Sequence, residues 1–139
     1  RTPIGGMNGQ FVSLTSPQLA STAIAACVQQ TGLKGEDISE AIVGCVLPAA
    51  LGQAPARQAV LGAGLPKSIP CTTINKVCGS GMKAVMQGHD AIKAGSSAVV
   101  VAGGMESMSN APYLLPKARG GLRLGHGGDL FTPPPPTFI

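Results

Sequence analysis

Leu19, Ala23, Ile24, Cys27 and Val28 recur at helical spacing, in the three- and four-residue steps that align one face of an α-helix. Ahead of them Thr15-Ser16-Pro17-Gln18 offers a cap, a proline suited to the first turn and a capping-box glutamine, and Gly32 stops the run. The spacing predicts a helix there. Residues 41–47 (AIVGCVL) form a short apolar run of strand type, and 54–61 (APARQAVL) predict a second helix stopped by Gly62 and Gly64. Pro66 and Pro70 punctuate a turn. Residues 71–77 (CTTINKV) are rich in β-branched side chains and read as a strand, 80–94 as a helix ended by Gly95, and 98–102 (AVVVA) as another strand.

The order helix, strand, helix, strand, helix, strand with short connections predicts an α/β layer architecture with a mostly parallel sheet. A strand as uniformly apolar as AVVVA implies that both sheet faces are covered. Ligands of such sheets bind beyond the carboxyl ends of the strands, so the strand-to-helix turns are where chemistry is to be sought. From Glu106 onward periodicity fades, and the last eleven residues, DLFTPPPPTFI, contain four consecutive prolines that can neither continue a helix nor join a sheet interior. The expected organisation is a domain over 1–112, a loop or oligomerisation region over 113–128 and an atypical proline-rich tail over 129–139.

Composition narrows the function classes. The chain has 139 residues with 20 Gly and 12 Pro, and the excess of both lies at the C-terminal end. Its net charge of +4 comes from isolated Lys and Arg, and only one Tyr and three Phe are present, so neither a phosphate-tracking stripe nor a base-stacking platform is visible. No nucleic-acid partner is expected, and no membrane one, since nothing approaches the ~18 unbroken apolar residues of a membrane span. The cysteines Cys27, Cys45, Cys71 and Cys78 form no C-x-x-C pair that would hold a structural zinc, so no metal is expected. A disulfide framework is not expected either, and Cys27 and Cys45, inside apolar blocks, read as buried small hydrophobes. Free thiols and the absence of a leader or span predict a cytoplasmic protein, with a mitochondrial matrix open if a transit peptide precedes the sequence.

Cys78 differs. Over Ile74-Asn75-Lys76-Val77-Cys78-Gly79-Ser80-Gly81-Met82 a strand ends, two glycines allow a tight reversal and a helix begins. A sulfur on that turn sits at the positive end of the helix dipole beside unpaired backbone N–H groups, conditions that favour a thiolate. The same N–H groups suit an oxygen that becomes negative when a carbonyl is attacked by the sulfur, as at the nucleophile elbow of serine hydrolases. Two other readings stand beside this one. Gly79-x-Gly81-x-x-Ala84 fits a dinucleotide fingerprint, with Glu106 after the next strand as a ribose ligand, and Cys78 can equally be a buried cysteine at a glycine-rich packing contact.

NKVCGSGMKAV resembles the active-site signature of the thiolase family, and RTPIGG at 1–6, GQAPARQAVLGAGLP at 52–66, VVVAGGMESMSNAPYLLPKAR at 99–119 and GGLRLG at 120–125 extend the resemblance to about residue 128. Within the family it is most like the acetyl-CoA acetyltransferase branch. The resemblance implies a layered α/β fold with a mixed, mostly parallel sheet flanked by helices, here incomplete, and an acyltransferase that moves acetyl between coenzyme A thioesters through an S-acyl-cysteine. Two acetyl-CoA would give acetoacetyl-CoA and CoA, or the reverse. Longer-chain 3-ketoacyl-CoA thiolysis and a non-catalytic interaction module are the alternatives. The implied partners are acyl-CoA and CoA as substrates, with no further cofactor, and a homodimer or homotetramer.

By the same resemblance Cys78 is the acyl acceptor and its backbone N–H an oxyanion donor, while Gly79 and Gly81 let backbone and substrate approach. Met105 and Met108 either line the pocket or fill space. The family's activating His in a Gly-His-Pro context, its water-positioning Asn and its second Cys match nothing in this sequence. His89 lies eleven residues along the helix from Cys78, about 16 Å at 1.5 Å per residue, and reads as a packed or surface histidine. His126 is unassigned. Ser107 and Asn110 read as turn residues, and Lys117, Arg119 and Arg123 form a local basic cluster whose default is solvation.

Overall fold

The computed structural model describes residues 1–114; the basic cluster at Lys117, Arg119 and Arg123, His126 and the proline-rich tail lie outside them. Helix α1 (Ser16–Thr31) begins where the capping box predicts. The Thr15 N–H donates to Gln18 Oε1 at 2.8 Å, the Gln18 N–H donates to Thr15 Oγ1 at 3.4 Å, and Gly32 closes the helix at φ 69°. The remaining elements are β1 (Glu40–Gly44), α2 (Pro55–Gly62), β2 (Cys71–Ile74), α3 (Ser80–Lys93) and β3 (Val100–Gly104), with 3₁₀ turns at Gly35–Asp37 and Met108–Asn110.

All six expected elements are present, in the expected order. The strands make one sheet ordered β2-β1-β3, and both pairings are parallel, Ala41 opposite Cys71 and Glu40 opposite Val100. Helices α1 and α2 pack together over one face, where Ala20, Ile24, Ala56, Ala59, Val60, Ala41, Val43, Cys45 and Met105 make the core. Helix α3 covers the other face, so that the sheet is the middle of three layers.

The central strand β1 is buried over Ala41–Gly44, but every residue of β3 keeps partial or full exposure. Both faces of the sheet are covered, as AVVVA implies: Val100 and Ala102 lie under Gly88 of α3, while Val99 and Val101 pack against the core, so that the cover over β3 is present but partial. β3 is an edge of this sheet, and a groove of about 770 Å³ runs between it, α1 and the segment 1–11. The expectation for Cys27 is corrected: it is exposed. The core-facing stripe of α1 is Ser16, Pro17, Ala20 and Ile24, and one turn further on Cys27 borders the open groove instead of α2.

Helix α3 buries Ser80, Ala84 and Gly88, successive steps of four along one face. Small side chains let the helix approach the sheet closely. A Cβ on Gly88 would stand 3.1 Å from Val100 Cγ1, and one on Gly81 would stand 3.3 Å from the Gly104 nitrogen. Gly44 and Gly104, opposite each other in the β1–β3 register, form the floor under the first turn of α3. The outward face carries Met82, Val85, Met86 and Ile92 to solvent, Met82 at 74 % exposure. None of the helices among the described residues is long and apolar enough to cross a membrane.

Candidate active site

Strand β2 ends at Ile74, and within six residues the chain reverses and enters α3. The turn is fastened by two side chains. Asn75 Oδ1 accepts the Val77 N–H at 2.9 Å, a local two-residue bond typical of Asn. The buried Ser80 hydroxyl accepts the Lys76 N–H at 2.8 Å and donates to the Val77 carbonyl at 2.6 Å. Between these clamps Val77 adopts φ 47°. A β-branched residue in the left-handed region is an outlier that costs ~1–3 kcal/mol and persists only where its surroundings impose it.

Cys78 follows directly and is exposed. It stands at the N-terminal end of a 14-residue helix, beyond the C-terminal end of β2, where parallel sheets hold their ligands. The supply of unpaired N–H groups there is smaller than the sequence suggests. The Gly79 and Ser80 N–H groups turn back onto the carbonyls of Lys76 and Val77 at 3.0 and 3.1 Å, and among the described residues those of Gly81 and Met82 have no acceptor. Gly81 has a structural use as well, since its missing side chain seats α3 on Gly104. Gly79 is less constrained, a Cβ there coming no closer than 3.4 Å to the Lys76 oxygen.

The other expected site residues lie elsewhere. Met105 is buried in the core, Met108 is exposed on the 3₁₀ turn, and both border the groove along β3, whose lining does not include Cys78, Gly79 or Gly81. His89 is exposed, and among the described residues its one polar partner is Asp90, at 3.2 Å. Ser107 and Asn110 serve as turn residues that also bind the segment before α1: both donate to the Leu14 carbonyl, at 3.1 and 2.9 Å. No group of three or more His, Cys, Asp or Glu among the described residues could hold a metal ion.

Glu106 occupies a position that sequence reasoning tied only to a ribose. Its Oε2 accepts the Val46 N–H at 2.9 Å and its Oε1 the Leu47 N–H at 3.1 Å, in the loop that follows β1. The Cys45 thiol approaches Oε1 at 3.7 Å. Burial first, and the neighbouring Glu106 carboxylate second, push the Cys45 thiol above its ordinary pKa. Burial likewise raises Cys71, against the opposing effect of Arg57. With both oxygens engaged on backbone donors, Glu106 is committed to the protein's own loops. Asn75 and Ser80 lie within NKVCGSGMKAV but were given no separate role in the sequence, and the structure shows them fastening the turn. The only local signal for them was an Asn two residues before a Val, and a Ser at the start of a helix.

The family described as thiolase, N-terminal domain, matches residues 1–129. Acetyl-CoA acetyltransferase of Schizosaccharomyces pombe is 52% identical over 126 residues, covering 91% of this chain and 32% of the relative. Acetyl-CoA acetyltransferase 2 of Arabidopsis thaliana is 56% identical over 126 residues, covering 91% and 31%. The mitochondrial acetyl-CoA acetyltransferase of Bos taurus is 52% identical over 127 residues, covering 89% and 30%. The chain thus spans about a third of the length of the curated relatives it matches.

Proposed function

This chain belongs to the thiolase family, and from that premise we propose that Cys78 is the acyl acceptor in a transfer of acetyl between coenzyme A thioesters. The observation that carries the reading is the exposed Cys78 thiol on the β2–α3 turn, presented by a strained Val77 at the positive end of α3. The choice of acetyl follows the names of the relatives.

In this reaction the Cys78 thiolate attacks the carbonyl carbon of an acyl-CoA. A carbon–sulfur bond forms and the carbonyl oxygen becomes an oxyanion, which the Cys78 N–H and the unengaged Gly81 and Met82 N–H groups at the start of α3 stabilise. The oxyanion then collapses, the bond to the CoA sulfur breaks, and CoA leaves as a thiolate that takes a proton from solvent. S-acyl-Cys78 next meets a carbon nucleophile, the second acetyl-CoA deprotonated at its α-carbon. A carbon–carbon bond forms, the Cys78 thiolate departs and acetoacetyl-CoA is the product; thiolysis runs the same steps backwards. The base that takes the α-proton is assigned to no residue within 1–114, because His89 pairs with Asp90 on the outer face of α3.

That last point favours a second reading for the 139-residue chain taken alone, namely that it accepts an acyl group without turning over. Mixed with excess acetyl-CoA, the chain is expected to release CoA in a burst no larger than one equivalent, and Cys78→Ala to release none. Absence of a burst refutes the acyl-acceptor reading. Sustained thiolysis of acetoacetyl-CoA by the chain alone refutes the second.

A further inference from the structure

Three loops leave the C-terminal ends of the three strands, and the side chains that tie them together converge on the turn holding Cys78. After β1, the peptide unit joining Val46 to Leu47 is held from both ends. Its N–H, from Leu47, donates to Glu106 Oε1 at 3.1 Å, and its carbonyl, from Val46, accepts from Asn75 Nδ2 at 3.3 Å. The preceding peptide is held too, its Val46 N–H on Glu106 Oε2 at 2.9 Å. A carboxylate that accepts two successive N–H groups leaves that loop little rotational freedom, and charge-assisted bonds of this kind are the stronger class.

Asn75 reads the orientation so imposed. With its Nδ2 committed to the Val46 carbonyl, its Oδ1 points to the Val77 N–H at 2.9 Å. That bond is one of the restraints keeping Val77 at φ 47°, a backbone state that a β-branched residue does not hold unaided. Turning the Val46–Leu47 peptide would leave Nδ2 without its acceptor and free the carboxamide to rotate, and Val77 would relax toward negative φ, moving Cys78 away from the first turn of α3.

We propose that Glu106 is a positioning residue for Cys78, acting through the Val46–Leu47 peptide and the Asn75 carboxamide. It touches neither the thiol of Cys78 nor an acyl group. The inference rests on the acyl-acceptor reading of Cys78, and its test separates the two.

The test is site-resolved alkylation of the 139-residue chain by iodoacetamide, read peptide by peptide. The exposed Cys27 serves as reference and the buried Cys45 as a check that the fold persists. In the wild-type chain Cys78 is expected to label faster than Cys27. Glu106→Ala and Asn75→Ala should each lower the Cys78 rate about tenfold relative to Cys27, which is ~1.4 kcal/mol. Glu106→Gln, which keeps one carbonyl oxygen as acceptor, should fall between. Because both residues act along one route, the double variant should lose no more than either single one, a non-additivity that two independent structural roles would not produce. A wild-type Cys78 no faster than Cys27 overturns both the acyl-acceptor reading and this inference. A fast Cys78 unchanged by Glu106→Ala, or losses that multiply in the double variant, overturns the positioning role alone. Where Glu106→Ala exposes Cys45 to labelling, the decision passes to Glu106→Gln and Asn75→Ala, and a wild-type rate in both overturns it.

Discussion

Replacing Gly44 by Ala tests whether the seat of α3 is as tight as the site requires. An ideal Cβ on Gly44 would stand 2.6 Å from both the carbonyl carbon and the Cβ of Ser80, and 2.8 Å from the Gly81 nitrogen. Ordinary contact begins at 3.4 Å, so the first turn of α3 must retreat by about 0.8 Å, and the atoms in the way are mostly backbone. Overpacking of this kind costs ~1–3 kcal/mol. The retreat also pulls the Ser80 hydroxyl from the Lys76 N–H and the Val77 carbonyl, now at 2.8 and 2.6 Å, and so loosens the turn that presents Cys78. Gly103→Ala is the control. Gly103 lies opposite Val43 in the adjacent strand, a Cβ there meets nothing within 4 Å, and the loss of glycine's chain entropy should leave it neutral or stabilised by up to ~1 kcal/mol. Urea unfolding followed by far-ultraviolet circular dichroism gives the comparison. The midpoint of Gly44→Ala should drop while that of Gly103→Ala holds or rises. Ser80→Gly in the Gly44→Ala background should not restore stability, because the Ser80 carbonyl carbon remains in place. A Gly44→Ala chain within ~0.5 kcal/mol of wild type, the range of unremarkable substitutions, would refute the close seating.

Thr15→Ala removes the acceptor of the Gln18 N–H and half of the capping box, and should destabilise the chain by ~1 kcal/mol in the same urea titration. Stability should also decline in alkali. The folded state raises the Cys45 thiol above its ordinary value, so it holds a proton that the unfolded chain gives up from about pH 8.5. Stability is full below that point and falls as pH climbs toward the folded value. Cys45→Ala should flatten the decline, and an unchanged slope in that variant would show that other groups cause it. Under native conditions iodoacetamide should modify Cys27 and leave Cys45 intact, since one is exposed and the other 2% exposed; quantitative labelling of Cys45 would contradict the described core.

Helix α1 was fully legible in sequence because its determinants are local: Thr15 and Gln18 make the box, and Gly32 supplies the left-handed stop. Strand ends were not. Residues 41–47 read as one apolar strand, yet β1 stops at Gly44 because the Val46 and Leu47 N–H groups turn to Glu106, sixty residues away in sequence. Residues 71–77 read as a strand to Val77, yet β2 stops at Ile74, since pairing gives way to the Asn75–Ser80 clamps. β3 runs two residues later than 98–102, into Gly103 and Gly104, because backbone pairing with Val43 and Gly44 needs no apolar side chain. The strand-to-helix turn carrying Cys78 was legible from strand, glycine and helix signals within nine residues, and the thiol's exposure there sets aside the buried-cysteine reading. Glu106 entered only as a ribose ligand in the dinucleotide alternative, because its actual partners are backbone groups that no side-chain pattern reveals.

The central claim is that Cys78, alone among the four thiols, takes an acyl group from coenzyme A. Incubation of the folded chain with acetyl-CoA, quenching in acid and peptide mapping by mass spectrometry reads acyl occupancy at each cysteine. The account predicts one acetyl group, released by hydroxylamine as a thioester should be, on the peptide carrying Cys78 and on no other. Acetylation spread over Cys27 and Cys78 alike, or Cys78 left unmodified while Cys27 reacts, would contradict it.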